Sequence, residues 1–148
     1  MIIYLDSSAM MKRYIQEKGT EKIRRVYFEA LNGEITLSLS VWNIGEILGA
    51  FDKYLQRKWL AVREHGAARE AFINEMTRLV RLDIIKLVPV KTSILAESWS
   101  MIEKYSIYQA DAVQITSARS LQADQLLTGD KRLAEISEKE DIETRLIG

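Results

Sequence analysis

Ile2-Ile3-Tyr4-Leu5-Asp6-Ser7-Ser8-Ala9 opens the chain with four apolar residues running straight into an acid and two hydroxyls. An apolar run without polar alternation reads as a strand buried on both faces. Such strands belong to parallel sheets covered by helices. An acid that ends a buried strand calls for a partner or a ligand, because an uncompensated charge there is costly. Only Met1 precedes the run and no basic leader is present, so the segment is read as structure rather than as a secretion signal.

Working outward, the chain alternates strands and helices. The stretch Ala9 to Glu17 carries apolar residues at 10, 11, 14 and 15 and stops at Gly19. Thr20 is placed to cap a helix through Leu31, which Asn32-Gly33 ends. Ile35 to Leu39 is a second strand. Val41 to Gln56 is helical, with Ile44, Leu48, Phe51 and Leu55 on one stripe. A charged helix runs from about Arg63 to Leu82, and Ile84 to Val90 is a third strand holding the only proline. Thr92 opens a helix to about Tyr105. Ser106-Ile-Tyr-Gln109 fits a capping box for another helix to about Leu121. Gln125 to Thr128, Lys131 to Glu138 and Glu143 to Ile147 read as strand, short helix and last strand. Helices between successive strands predict an α/β fold with a parallel sheet covered on both faces. No repeat or linker interrupts it, so residues 1–148 are read as one domain.

Composition narrows the chemistry. Apolar residues make up 47% of 148, enough for a real core. There is no cysteine, which excludes thiolate metal sites, disulfides and a Cys nucleophile together. His65 is the only imidazole, so any metal must be held mainly by oxygen, which favours Mg²⁺ or Mn²⁺. Lys plus Arg and Asp plus Glu both number 21, so bulk charge gives no general attraction to nucleic acid. That argues against a passive nucleic-acid coat but not against a nuclease, whose acids gather in the site and bases on its rim. No apolar run approaches the roughly 20 residues of a membrane span, and a cytoplasmic protein is expected.

Four acids fall where such a sheet binds ligands, beyond the carboxyl ends of its strands. Asp6 ends the first strand and Asp130 lies two residues past the fourth. Glu46 lies in the helix after the second strand, and Asp111 early in the helix leading to the fourth. Two carboxylates about 5 Å apart repel by roughly 3 kcal/mol at an effective dielectric near 20. A divalent cation removes that cost and supplies what phosphodiester hydrolysis needs without histidine. Each acid also has a plainer role. Asp130 suits a helix N-cap, Asp111 suits the positive end of a helix, and Glu46 falls on the face opposite the apolar stripe. Trp42, Gly49 and Ala50 beside Glu46 are poorly suited to a fully solvated face.

Four stretches together resemble the PIN-domain family, and within it the small toxins of the VapC type. They are Ile-Ile-Tyr-Leu-Asp-Ser-Ser-Ala (2–9), Leu-Ser-Val-Trp-Asn-Ile-Gly-Glu-Ile (39–47), Tyr-Gln-Ala-Asp-Ala-Val-Gln-Ile-Thr-Ser-Ala (108–118) and Leu-Leu-Thr-Gly-Asp-Lys-Arg-Leu (126–133). The resemblance implies an α/β/α sandwich of about five parallel strands, and a Mg²⁺- or Mn²⁺-dependent ribonuclease. It implies Asp6, Glu46, Asp111 and Asp130 as metal ligands, with Ser7 or Ser8 and Thr128 supporting them. Lys12, Arg13, Arg119, Lys131 and Arg132 lie near the motifs and are candidates to grip phosphate. A homodimer and a small VapB-type antitoxin are the implied partners. An N-terminal apolar surface with Met10, Met11 and Tyr14 offers an interface, although such residues more often belong to the core.

The chain departs from the pattern in its charged segment from Arg57 to Leu82, which is long for a minimal toxin and leaves another PIN subgroup open, and in two motif positions. Arg132 stands where many relatives carry another acid, and Thr-Gly-Asp (128–130) has glycine where a polar residue is more usual. Two other readings compete. A haloacid-dehalogenase-like phosphotransferase would use Asp6 as nucleophile, but its Asp-x-Asp motif here reads Asp6-Ser7-Ser8. A non-catalytic PIN-like interaction module would be expected to have lost part of the acidic set, and all four acids are present.

Overall fold

The alternation of buried strands and amphipathic helices folds as a three-layer α/β/α sandwich. The computed structural model describes residues 1–148. In chain order the elements are β1 (Ile2–Leu5), α1 (Ser7–Met11), α2 (Thr20–Leu31), β2 (Thr36–Ser40), α3 (Val41–Gln56), α4 (Val62–Arg81), β3 (Ile85–Val88), α5 (Thr92–Tyr105), α6 (Gln109–Ser120), β4 (Gln125–Thr128), α7 (Lys131–Lys139) and β5 (Thr144–Leu146). The five strands lie in the order β3-β2-β1-β4-β5, and every pairing is parallel. The strand order reverses direction at β1. Chain from β1 moves outward to β2 and β3 on one side, then crosses back to β4 and β5 on the other. Ligands of open α/β sheets bind at such a switch point.

Pleating divides the central strands between two cores. Ile3, Leu5, Leu37, Leu39 and Leu127 face a larger core built with α1, α2, α3 and α4. Tyr4 and Leu126 face a smaller one built with α5, α6 and α7. On β2 the residues opposite the larger core are Ser38 and Ser40, both fully buried. Their small side chains let α6 lie close over the sheet, and every α6 residue from Ala112 to Ala118 is buried. Thr116 and Gln114 satisfy their polar groups on the helix's own carbonyls, and Tyr4 donates its hydroxyl to Gln114 at 2.8 Å. This close seat fixes where the first turn of α6 meets the edge of β1.

The segment between α3 and β3 is charged only outwardly. Ala68, Phe72, Met76 and Leu79 of α4 bury into the larger core. Met10 and Met11 are core residues, the commoner role for such side chains, and Tyr14 packs against the same core. Three local expectations change. The helix after β1 ends at Met11, and tight turns follow. Gly19, in the left-handed region at φ 96°, caps α2 in place of Thr20. Thr20 is the first helical residue, and its buried hydroxyl bonds Glu17 N and Ile15 O. The capping box also fails. Ser106 adopts φ 54° as the end of α5, Tyr108 caps α6, and the Gln109 amide turns to Ser98 instead. The left-handed residue uses up the position from which Ser106 would have capped the next helix.

Candidate metal centre

Asp6 follows β1 immediately and becomes the N-cap of α1, its Oδ1 accepting the Ala9 amide at 2.9 Å. Two hydroxyls complete its shell. Ser8 donates to Oδ1 at 2.7 Å, and Thr128, the last residue of β4, donates to Oδ2 at 2.6 Å. The β1–β4 register sets Leu5 opposite Leu127 and so brings Thr128 level with Asp6. Thr128 also accepts the Asp130 amide at 2.9 Å, which ties the two aspartates together. Gly129 closes the corner. Its amide donates to Ser8 Oγ at 2.8 Å, and a Cβ there would stand 3.1 Å from Lys12 and 3.3 Å from Ser8. The polar residue usual at this position would push into that contact.

Glu46 sits one helical turn into α3 and accepts the Ser7 hydroxyl at 2.7 Å. Asp111 lies in the first turn of α6. Asp130 caps α7, accepting the Arg132 and Leu133 amides at 2.9 and 3.1 Å. The capping role read for Asp130 is therefore present, and it leaves a second carboxylate oxygen free of those bonds. A cavity of about 130 Å³ is lined by Asp6, Ser7, Ser8, Glu46, Asp111, Gln114 and Asp130, without one hydrophobic residue. Gln114 is the member that sequence reading did not single out. Its spacing of three from Asp111 puts both on one face of α6, and that was the available signal.

Electrostatics binds the four acids into one site. Burial pushes the Asp6 carboxyl up to about 6, against its hydrogen bonds to Thr128, Ala9 and Ser8 and with help from the Asp130 charge. Burial also raises Glu46. The Ser7 hydroxyl draws it back, while the charges of Asp6 and Asp111 push it further up. Asp111 is raised by burial and by Asp130, and lowered by the nearby Arg132 guanidinium. Asp6, Glu46 and Asp111 thus resist their own ionisation.

No three Asp, Glu or His side chains are gathered tightly enough to grip a metal ion between them as they stand. The carboxylates of Asp6, Glu46 and Asp130 are turned instead toward hydroxyl or amide donors of the chain. The donor set still suits a hard cation: oxygen alone, several carboxylates around one space, and room for an ion with part of its water shell. A thiolate or imidazole metal finds nothing in it.

The candidate phosphate grips divide. Arg13 forms a two-pronged pair with Glu75 of α4, both bonds at 3.0 Å, and stacks 4.7 Å from the Tyr27 ring. Arg119 pairs with Glu140 at 3.3 Å. Lys12 reaches Glu17 at 3.3 Å with its stem against Gly129. Arg132 donates to the Tyr105 and Ser106 carbonyls at the end of α5. Lys131 is exposed beside Asp130, with no ion pair.

Solved structures share this architecture at low sequence identity, a level that speaks to fold. VapBC2 from Rickettsia felis, bound to a DNA fragment from their promoter, superposes with TM-score 0.67 at 12% identity, covering 100% of both chains. VapC20 from Mycobacterium tuberculosis, a sarcin–ricin-loop-cleaving toxin, gives 0.64 at 13%, covering 90% of this chain and 94% of that one. VapBC-1 from nontypeable Haemophilus influenzae gives 0.59 at 16%, covering 99% and 98%. No curated protein sequence matches the chain significantly. The PIN domain profile matches residues 3–139, a span that takes in all four acids and the strand switch they surround. On that match, the chain belongs to the PIN domain family.

Proposed function

We propose that this chain is a Mg²⁺- or Mn²⁺-dependent endoribonuclease, acting as one catalytic domain over residues 1–148 and serving as the toxin of a VapBC-type pair. The observation that carries the reading is the wholly polar cavity lined by Asp6, Glu46, Asp111 and Asp130 at the strand switch. The three solved relatives, one a toxin and two VapBC assemblies, support a small antitoxin as partner. A homodimer and a cytoplasmic site of action complete the proposal. No helix is long and apolar enough to cross a membrane.

In this reading Asp6, Glu46, Asp111 and Asp130 hold the cation. A bound divalent ion would lower the pKa of water and offset charge on a phosphoryl oxygen. The chain's own residues do the rest. Ser8 and Thr128 fix both Asp6 oxygens, and Ser7 fixes Glu46, so the carboxylates turn inward without losing their place. Lys131 and, over short side-chain movements, Lys12 and Arg132 face phosphate from the rim. Arg13 and Arg119 are already committed to Glu75 and Glu140 and are left out of the grip.

The test is cleavage of end-labelled single-stranded RNA with Mn²⁺ or Mg²⁺, comparing wild type, Asp111→Asn and EDTA-treated protein. Cleavage that needs metal, disappears in Asp111→Asn and leaves 5′-phosphate and 3′-hydroxyl ends is expected. Products ending in a 2′,3′-cyclic phosphate would overturn the reading, because they require the RNA's own 2′-hydroxyl as nucleophile.

A further inference from the structure

Beside the acidic cavity lies a second, open recess of about 500 Å³, lined by Val41, Trp42, Gly45 and Glu46. Glu46 belongs to both, so the two spaces share a wall. The recess is the first two turns of α3, which begins where β2 ends at Ser40. It therefore sits at the same sheet edge as the four acids.

Only part of its lining is explained inside the chain, where the Trp42 side chain helps hold the Glu46 carboxylate. The core face of α3 is carried by Asn43, Ile47 and Phe51, all buried. Val41 and Trp42 lie outside that face and remain 44% and 41% exposed. Gly45 is stranger still. Glycine inside a helix costs about 1 kcal/mol relative to alanine. Yet its φ is not positive, and a Cβ added to it would meet nothing within 4 Å. Neither backbone geometry nor internal packing asks for glycine here. Gly45 lines the recess without adding a side chain to it.

Resting on the nuclease reading above, we propose that Trp42, with Val41 and Gly45, forms a stacking shelf for one unpaired nucleobase of single-stranded RNA next to the scissile phosphate. A phosphate held against Glu46 has its neighbouring base one nucleotide away, and the shelf is the apolar surface adjoining that carboxylate. An indole face offers the widest aromatic platform among side chains, and every base has a face to stack on it. Stacking here places the strand by its bases, while the acids address only its backbone. Trp42 is thus a positioning residue that favours unpaired RNA over duplex.

The test is equilibrium binding of labelled single-stranded RNA with Mn²⁺ in the Asp111→Asn background, where cleavage does not interfere. Trp42→Ala is expected to weaken binding about tenfold to a hundredfold, the range for losing one stacked base. Trp42→Phe keeps a ring and loses the indole N–H, and is expected to stay within a few fold. Gly45→Leu fills the shelf from an open position and should weaken binding like Trp42→Ala while folding normally by circular dichroism. An RNA carrying one abasic site across the cleaved step should lose affinity for the Asp111→Asn protein but not for the Asp111→Asn/Trp42→Ala protein. Equal RNA binding by all variants overturns the shelf and leaves the nuclease reading standing. Absence of RNA binding by every form, the wild-type chain with Ca²⁺ in place of Mn²⁺ included, overturns that reading, and the shelf with it. Loss of a dimer in sedimentation by Trp42→Ala and Gly45→Leu, with RNA affinity intact, assigns the recess to a second copy of the chain instead.

Discussion

Thr128 shows how much one hydroxyl contributes to this site. It donates to Asp6 and accepts from Asp130 N, so it fixes one acid and the loop carrying another. Thr128→Val keeps the shape and removes both bonds. The expected result is a loss of about 1–3 kcal/mol in stability, from buried polar groups left without partners. Mn²⁺ affinity, read by titration calorimetry, should fall about tenfold to a hundredfold, as when an orienting partner of a ligand is removed. Unchanged affinity would make Thr128 a structural residue only. Arg13 poses the opposite question, because proximity in sequence to Asp6 made it a candidate for phosphate. The structure pairs it with Glu75, where burial alone would raise that carboxyl and the Arg13 guanidinium and Tyr14 hydroxyl hold it below its usual range. Arg13→Ala should cost about 1–2 kcal/mol, between an exposed and a fully buried pair. Cleavage by the folded variant should be unchanged. If KM for RNA rises while the melting temperature holds, Arg13 returns to the substrate. Sequence marks Asp6 and Asp130 because acids at strand ends are conspicuous, and Glu46 and Asp111 through the motifs of the family resemblance. It cannot assign the basic residues, since whether an arginine is free depends on a partner 62 positions away.

At the scale of elements, the sequence was most legible where the apolar period was strong. The bounds of α3 and α5 and of β4 coincide with those read from periodicity alone. Helix ends were the weak point. Ser106 and Thr20 both carry capping chemistry, and both are overruled by left-handed backbone, at Ser106 itself and at Gly19 before Thr20. A side chain's capping ability is visible in sequence, whereas the backbone path that uses it is set by the docking of the whole helix. α6 illustrates that docking. Its seven consecutive buried residues pack small side chains against Ser38 and Ser40, so it tolerates little added volume. Ala118→Leu, near its far end, is expected to destabilise the protein by about 1–3 kcal/mol through overpacking. The urea midpoint should fall while Mn²⁺ affinity stays near wild type. A large loss of affinity would mean that α6 shifts as a rigid rod and carries Asp111 with it.

For the molecule as a whole, the acidic cavity places a cost on folding that pH and metal should reveal. The folded state raises Asp6 from an ordinary value of 3.8 to about 6. The native protein therefore holds this proton more tightly than the unfolded chain. The associated stability is fully present below pH 4, and is lost as pH rises through about 6. A shift of roughly two pKa units corresponds to something on the order of 3 kcal/mol. Glu75 and Glu140 run the other way, their carboxyls lowered in the fold, so their contribution is lost as pH falls. The raw melting curve mixes these trends, and the difference between wild type and Asp6→Asn isolates the one of interest. In EDTA the two proteins should melt together near pH 4, and Asp6→Asn should become the more stable between pH 6 and 8. Adding Mn²⁺ should raise the wild-type melting temperature at pH 7.5, do little at pH 4.5, and leave Asp6→Asn nearly unmoved at both. A cation that binds only the ionised cavity must stabilise more as the cavity ionises. If Mn²⁺ stabilises both proteins equally at every pH, the ion binds elsewhere, and the hydroxyls around Asp6 and Glu46 hold those acids for the sake of the fold alone.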